Sequence, residues 1–485
     1  LNSAGWDDNP AVSGEFRTRN GLRLLDWGQA GLFDSQMTKS FQISRRSFIA
    51  RCTATAAATG LPLWFVQREM ASAAEPVATP SSANDRPGIA IIGCGGMGLG
   101  DAMNASRFGD IIAVCDVDEK HAEHGKKQHT KDGKSPAKFS DFRKVMERDD
   151  VHIIVQSTPD HWHTLINICA AKARKDVFGQ KPLTLTVDEG RHVIKAVRDN
   201  HIIFQTGTQQ RSDKKFRLAC ELVRNGRIGK LQQVNVFVPS GLRGGPFAST
   251  PAPKELDWDF WQGQTPSVDY VRERCHSTFR WWFEYSGGPV TDWGAHHNDI
   301  ARWAIGQDAP IEVEAKVLSG PIPGGYNTPA DYEATLTWAN DVKQVVKTTP
   351  DDSPFGEIIN QNGQRNGLKF IGSEGWIWVN RGGIDASNDD ILSTPLGDNA
   401  PRLEVSNDHM ENFFNSVRSR KDPVAPVEGG HRSACVGHLI VIALRLGLKL
   451  KWDGVAERFV GEGATEGNAL LSREMRKPYD YSIAG

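Results

Sequence analysis

The chain has 485 residues, more than a single hydrophobic core usually organises, so two domains with ancillary segments are expected. With 39% hydrophobic and 24% charged residues it reads as an ordinary soluble globular protein, and a formal net charge of -2 gives no electrostatic footprint for nucleic acid. Its partners are expected to be small molecules, not polyanions.

The first 85 residues read as export signal and linker. Ser44-Arg45-Arg46-Ser47-Phe48-Ile49 is a twin-arginine pattern, followed by a weakly apolar stretch rich in Ala and Thr and then by Ala71-Ser72-Ala73, which suits a signal peptidase cutting after Ala73. The stretch is interrupted by Arg51 and several Thr, too polar and too short for a stable membrane anchor. Met37 reads as the true start, which makes residues 1–36 an over-long gene start and 37–85 the signal peptide and linker. Residues 1–36 and Ala74–Asp85 are expected to lack fixed structure. The twin-arginine translocase is then the export partner, and the destination is periplasmic or extracellular.

From Pro87 short apolar runs alternate with helical stretches, the form of a parallel sheet wrapped by helices. Five runs read as strands: Ile89–Ile92, Ile111–Cys115, Val151–Gln156, Asp176–Phe178 and Ile202–Gln205. Each ends in a polar or Gly/Pro element, and in open α/β sheets the ligand sits outside the carboxyl ends of the strands, so these elements should converge on one site. Residues 86–207 therefore read as a dinucleotide-binding Rossmann domain. Residues 208–485 read as an α+β domain with a largely antiparallel open sheet, because longer alternating runs appear at Leu231–Pro239, Ile311–Leu318, Tyr332–Trp338, Val342–Thr349 and Lys369–Trp378. Helices near Asp408–Arg418 and His431–Leu446 would cover one face.

Gly93, Gly95 and Gly98 form Gly-x-Gly-x-x-Gly directly after a strand, with Gly96 and Met97 between them at the start of a helix. Only glycine lets the backbone turn tightly and approach a pyrophosphate, placing it on the free N–H groups of the helix N-terminus. Asp116 follows at the end of the second strand, where a carboxylate accepts from ribose hydroxyls and repels a 2′-phosphate, so NAD is favoured over NADP.

Four further stretches follow in order: Thr158-Pro159-Asp160-His161-Trp162-His163, Gln180-Lys181-Pro182, Gln205-Thr206-Gly207-Thr208-Gln209-Gln210, and Gly287-Gly288-Pro289-Val290-Thr291-Asp292-Trp293-Gly294-Ala295-His296-His297-Asn298-Asp299. Together they resemble successive motifs of the Gfo/Idh/MocA family, the glucose–fructose oxidoreductase and inositol dehydrogenase group, over roughly residues 87–480. The resemblance implies that Lys181, Asp292 and His296 form the substrate end of the site, and that Thr158, Pro159, Asp160, His163, Gln180 and Lys181 line the cofactor. It also implies association into a homo-oligomer through the open face of the second sheet. One position departs: the family's Glu-Lys-Pro is Gln180-Lys181-Pro182 here, which removes a charge that would help hold and tune the lysine.

The residues support these roles on their own terms. Hydride transfer from a sugar carbon needs a base, and an amine among apolar groups beside a cationic nicotinamide gives up its proton more readily. If a helix starts near Asp292, residues 292, 296, 299 and 303 share a face. Asp292, His296 and Asp299 are then expected to face the cleft, with His297 turned about 100° away. His296 is assigned to acid/base work with Lys181, and Asp292 to orienting the substrate; Trp293, His297 and Asp299 are substrate-side candidates.

No metal is expected. His161, His163, His276, His296 and His297 lie near Asp299 and Cys275, but no His-Glu-x-x-His or comparable spacing exists. Cys52, Cys94, Cys115, Cys169, Cys220, Cys275 and Cys435 include no Cys-x-x-Cys pair and read mostly as inert buried thiols. Trp258, Trp261, Trp281, Trp282, Trp293 and Trp303 place six of 14 tryptophans within 46 residues; some suit a sugar platform, though core packing is the commoner use of any one.

The function expected is an oxidoreductase acting with tightly held NAD on a secondary hydroxyl of a sugar, polyol or glycoside. A redox-neutral glycosidase or lyase that oxidises the sugar transiently fits the same residues, and a non-catalytic sugar-binding protein is the third alternative. Replacing Arg45 and Arg46 together by Lys is expected to leave precursor in the cytoplasm, read by fractionation and immunoblotting; normal export of that variant would point to another route.

Overall fold

Six short segments, most of them apolar, build the first layer of the computed structural model, which describes residues 45–72, 86–349 and 366–483. The expectations for residues 1–36, for cleavage after Ala73 and for Ala74–Asp85 concern residues outside that set. The segments are β1 (Gly88–Ile92), β2 (Asp110–Cys115), β3 (Ala137–Phe139), β4 (Ile153–Gln156), β5 (Asp176–Gly179) and β6 (Phe204–Thr206). All pair in parallel, in the order β3-β2-β1-β4-β5-β6. The order reverses between β1 and β4, which opens a crevice at their carboxyl ends.

β1, β4 and β5 are buried along their whole length, as strands covered on both faces must be. β3 is absent from the sequence expectation. It is three residues long, half-buried at the sheet edge and centred on Lys138, so it carries neither an apolar run nor a clean alternation.

The second sheet has nine strands in the order β13-β12-β11-β7-β10-β9-β8-β14-β15. They are β7 (Leu231–Pro239), β8 (Pro310–Ser319), β9 (Asp331–Trp338), β10 (Lys343–Thr349), β11 (Gly367–Gly372), β12 (Gly375–Val379), β13 (Ile384–Ala386), β14 (Leu450–Asp453) and β15 (Arg458–Val460). Every pairing is antiparallel except that of β10 with β7. The run Lys369–Trp378, expected as one strand, is the β11–β12 hairpin: Gly372 pairs with Gly375 across a tight turn. The helix Val427–Leu446 is buried almost throughout and packs on β8, on the helix Trp293–Ile305 and on the helix Val187–Asp199 of the first layer.

A long connection after β7 folds back over the first layer. Glu119 N–H donates to Glu255 O (2.9 Å), Asp257 N–H to Val117 O (3.1 Å), and Trp162 Nε1 to Trp261 O (2.9 Å). Leu256, Trp261, Tyr270, Cys275, Phe279, Trp282 and Tyr285 form a core with Tyr326 from the loop between β8 and β9, so six aromatic side chains, two of the clustered tryptophans among them, are committed to packing.

Residues 49–485 form one compact unit. It includes part of the segment expected to stand apart from the fold as a leader. In the helix Leu63–Ser72, Phe65, Val66 and Glu69 lie at helical spacing and are buried together with Leu61 and Cys52. Glu69 meets Arg217 in a two-pronged ion pair (2.6 and 3.1 Å), and Trp64 Nε1 donates to Leu392 O (2.8 Å). Among the described residues no helix is long and apolar enough to cross a membrane.

Breaking a buried pair by deleting one partner strands the other charge at a cost of about 3–5 kcal/mol. Arg217 keeps Glu221 at 3.8 Å. Glu69→Ala in the full chain is therefore expected to cost about 3 kcal/mol, the lower end of that range, read from denaturant midpoints; an unchanged midpoint would mean this helix does not hold to the body.

Candidate active site

The turn after β1 shows why glycine stands at two of its positions. Gly93 has φ 91, and a Cβ there would lie 2.6 Å from Ser157 O; a Cβ on Gly98 would collide with the Gly93 carbonyl. Gly95 and Gly96 instead face open space, with nothing within 4 Å of an added Cβ. Gly95 caps the helix Gly96–Ala105 without a side-chain hydrogen bond, so the first N–H groups, Met97 included, are left for a ligand. Met97 itself is half exposed at the mouth. Free N–H donors, open space and a close-packed turn fit a dinucleotide pyrophosphate.

Asp116 follows β2. Its Oδ2 accepts from Cys94 N–H in the glycine turn (2.7 Å) and its Oδ1 from Asp118 N–H (2.9 Å), which fixes the carboxylate beside the turn where a ribose would lie.

The substrate end is set by two elements. Lys181 leaves the end of β5, and Asp292 stands at the N-cap of the helix Trp293–Ile305. Lys181 Nζ lies 2.6 Å from Asp292 Oδ1 and also donates to the Asp292 main-chain carbonyl (3.3 Å). Arg280 Nε reaches the same carboxylate oxygen at 3.2 Å. Burial alone would raise the Asp292 carboxyl, but the two cations bring it down to about 2. Asp292 thus holds Lys181 and Arg280, where a direct substrate-orienting role was expected.

His296 is buried one helical turn further on, and its Nδ1 has no hydrogen-bond partner. Burial, then Lys181 and Arg381, push its imidazole well below the ordinary histidine range, so it is neutral. A neutral imidazole with a free nitrogen beside a fixed ammonium offers a proton acceptor and an oxyanion partner in one place.

The loops behind this pair are tied together by the other expected residues. His163 lies with Nδ1 2.6 Å from Pro182 O and Nε2 2.9 Å from Thr158 O, clasping the turns after β4 and β5. Pro159 caps the helix Asp160–Lys172, and Asp160 accepts from Ser286 Oγ (2.5 Å). Gln180 is explained by Asp101, a residue not singled out from sequence. Gln180 Nε2 donates to Asp101 Oδ2 (2.8 Å), as does Ser157 Oγ (2.9 Å), and Gln180 Oε1 accepts from Lys181 N–H (3.3 Å). Burial raises Asp101 to about 6. A glutamate at 180 would set a second carboxylate against it, whereas the amide serves both neighbours.

Asp299 does not face the cleft. Arg211 grips it with Nε (2.6 Å) and Nη2 (2.8 Å), and Ser433 Oγ donates to it (2.5 Å), all in the interior. The helical phase places 292, 296 and 299 on one side, but that side passes from cleft to core within two turns. His297 is fully buried, with Nε2 3.0 Å from Asn366 Oδ1, and its imidazole is pushed down to about 3 by burial. Trp293 remains half-buried, with the Arg381 guanidinium 4.7 Å from its ring centroid. Arg280 and Arg381 escaped the sequence reading; Arg280 sits inside Phe279-Arg280-Trp281-Trp282, where the aromatic residues drew attention instead. The histidines weighed for a metal disperse: His161 bonds to Trp261 O, and His276 joins Asp118 and His121.

Fold and site together define a two-domain NAD-dependent oxidoreductase of the sugar and polyol type. The chain belongs to the Gfo/Idh/MocA oxidoreductase family: residues 88–208 match the pattern described as oxidoreductase family, NAD-binding Rossmann fold, and residues 245–481 that described as oxidoreductase family, C-terminal alpha/beta domain. Myo-inositol 2-dehydrogenase of Thermotoga maritima is 25% identical over 366 residues, covering 72% of this chain and 94% of that protein. Glycosyl hydrolase family 109 protein 2 of Shewanella sp. strain ANA-3 is 33% identical over 159 residues, 30% of this chain and 35% of that one. The fold is shared with the WlbA dehydrogenase from Bordetella pertussis, solved in complex with NADH and UDP-GlcNAcA, at a TM-score of 0.57 and 17% identity, covering 76% of this chain and 99% of that one.

Asp299→Ala is expected to cost about 3–5 kcal/mol in denaturant unfolding, because it strands the buried Arg211, while folded protein keeps its cofactor content. His296→Ala in the same assay is expected to leave stability near wild type and to lower turnover by about 10²–10⁴. The reverse pattern would mean the two roles are exchanged.

Proposed function

We propose that this chain oxidises a secondary hydroxyl of a sugar, polyol or glycoside with an NAD that stays bound, and that it works outside the cytoplasm after twin-arginine export. The observation that carries the reading is the Lys181–Asp292 ion pair (2.6 Å) beside the buried, neutral His296 at the carboxyl ends of the strands. Bound NAD supplies the hydride acceptor. His296 takes the hydroxyl proton, the Lys181 ammonium faces the oxygen as it gains charge, and Asp292 with Arg280 keeps that ammonium in place. Gly93, Gly95, Gly96, Met97 and Gly98 hold the pyrophosphate, and Asp116 the adenosine ribose.

Cofactor retention is supported by the connection that pairs Glu255–Asp257 with Val117–Glu119 directly beyond Asp116, covering the adenosine end. Export is supported by the twin-arginine pattern alone. An exported enzyme has no dependable supply of fresh nucleotide, so each cycle returns the hydride, to a second carbonyl compound or to the same substrate. The relative described as a glycosyl hydrolase favours a second reading, in which the transiently oxidised glycoside eliminates its aglycone before the hydride returns. Association into a homo-oligomer is part of the proposal; β8 leaves Ile311, Val317 and Leu318 exposed in a single chain.

Protein purified from outside the cytoplasm is expected to carry near-stoichiometric NAD(H), released only on denaturation, and to turn over sugar without added nucleotide. Binding of that kind corresponds to a nanomolar Kd, on the order of −12 kcal/mol. Empty protein that needs added NAD would leave a conventional dehydrogenase and remove the retention argument.

A further inference from the structure

Beside Asp116, but outside the nucleotide turn, two imidazoles and a carboxylate meet from separate parts of the chain. Asp118 caps the helix Glu119–Gln128, its Oδ1 accepting from Lys120 N–H (2.8 Å) and His121 N–H (3.4 Å), which leaves Oδ2 available. His276 reaches over from the connection after β7, in the left-handed region with φ 52, and its Nε2 lies 3.3 Å from that Oδ2. The His121 and His276 rings are 4.5 Å apart between centroids, and one ligand atom from each of Asp118, His121 and His276 lies within 4.8 Å of the others. Asp116 Oδ2 stands 3.7 Å from His121 Nδ1, adding a second negative charge.

Bonds of ~2.0–2.2 Å in a tetrahedral ion set donors about 3.4 Å apart, the spacing the Asp118–His276 contact already has. Among the described residues neither carboxylate has a Lys or Arg ion-pair partner; the neighbouring Lys120 turns to Glu255 (3.1 Å). Two imidazole nitrogens with carboxylate oxygen select a borderline divalent cation over Mg²⁺ or Ca²⁺. Both histidines are partly exposed, so an ion has an entry path and room for water as a further ligand.

We propose that Asp118, His121 and His276 form a binding site for a zinc-type divalent cation, which fastens the connection after β7 to the nucleotide domain at the adenosine end. A second cluster, His431, Cys435 and Glu457, lacks this character: Arg191 Nε already occupies Glu457 at 2.9 Å, and the imidazole of His431 donates to the same carboxylate at 2.7 Å. The site does not depend on the redox reading, since it uses none of Lys181, Asp292 or His296.

The test titrates Zn²⁺ alone into chelator-treated full-length protein by calorimetry, with bound metal and bound NAD(H) quantified in the same samples. Wild type is expected to take one equivalent and to gain thermal stability; the double variant His121→Gln with His276→Gln is expected to lose at least tenfold in affinity and the thermal shift, while its circular dichroism stays native. Binding unchanged in that variant but lost in His431→Gln would overturn the proposal in favour of the other cluster. No stoichiometric Zn²⁺ in wild type overturns it outright. So does loss of NAD(H) from the double variant with no metal effect, because the two imidazoles would then serve the nucleotide directly.

Discussion

The contact on which the site depends is the Lys181–Asp292 ion pair, formed between a loop of the parallel sheet and the N-terminus of a helix that packs on the antiparallel one. Each side chain is mostly withdrawn from water, so neither charge is tolerable without the other. The carboxylate also holds Arg280, and its depression to about 2 measures how strongly the cations dominate its burial. The helix Trp293–Ile305 is anchored at its other turns by interior contacts, Asp299 to Arg211 and Ser433, and His297 to Asn366. The ammonium is thereby fixed relative to His296, and in the proposed reaction a hydroxyl between them would meet groups that do not need to reorganise. Linkage gives the acid limit: because the folded Asp292 carboxyl is depressed, its stabilising contribution is present above the ordinary carboxylate range and fades as pH falls toward 2.

Much of this was legible because parallel sheets write themselves plainly. Strands buried on both faces are short apolar runs, and the polar residues that end them are the ones aimed at the ligand. Gly93, Asp116, Thr158 and Lys181 follow the ends of β1, β2, β4 and β5 in turn, so their placement at the carboxyl edge of the sheet could be read from order alone. The helix with Asp292 and His296 was legible through its spacing. What periodicity lacked was the depth of that helix: it gives a face, and says nothing of where along the face the cleft stops and the interior starts, which is why Asp299 reads as a site residue until Arg211 is seen against it. β3 and the break at Ser373 were missed for the opposite reason, since an edge strand of three residues and a hairpin inside an apolar run carry too little pattern to mark them.

Pairings across long sequence distances were not legible. Gln180 looks like a loss when the motif is considered alone, because a charge is missing beside the lysine. Asp101 reverses that reading: a carboxylate already sits in the pocket, on the helix after the glycine turn, and burial raises it to about 6. A neutral amide can donate to it and accept from the backbone N–H of Lys181, which a second carboxylate could not do without taking up a proton. The amide at 180 thus finds its partner 79 residues earlier in the chain. The aromatic run Phe279–Trp282 hides another such partner, since Arg280 shares the Asp292 oxygen that Lys181 uses.

The segment proposed as a leader brings sequence and packing into their sharpest disagreement. As a signal, residues 44–73 need only an accessible Arg-Arg pair, an apolar stretch and a small-residue site, and nothing in those requirements calls for Glu69. The structure uses Glu69 to neutralise Arg217 in the interior and seats Phe65 beneath the same guanidinium, 5.2 Å from ring centroid to Cζ. The two demands fall on different residues. The twin arginines precede the compact unit that begins at Ile49, and Arg46 is exposed, whereas the buried positions start at Cys52 and are densest from Leu61 to Glu69. In the proposed export reading, the Arg-Arg pair lies ahead in sequence of the residues that the interior uses, so recognition and packing make no demand on the same side chain. Cleavage after Ala73 would cut the covalent link and leave the contacts of Glu69, Phe65 and Trp64 in place, so whether that helix departs is decided by its packing and not by the peptidase.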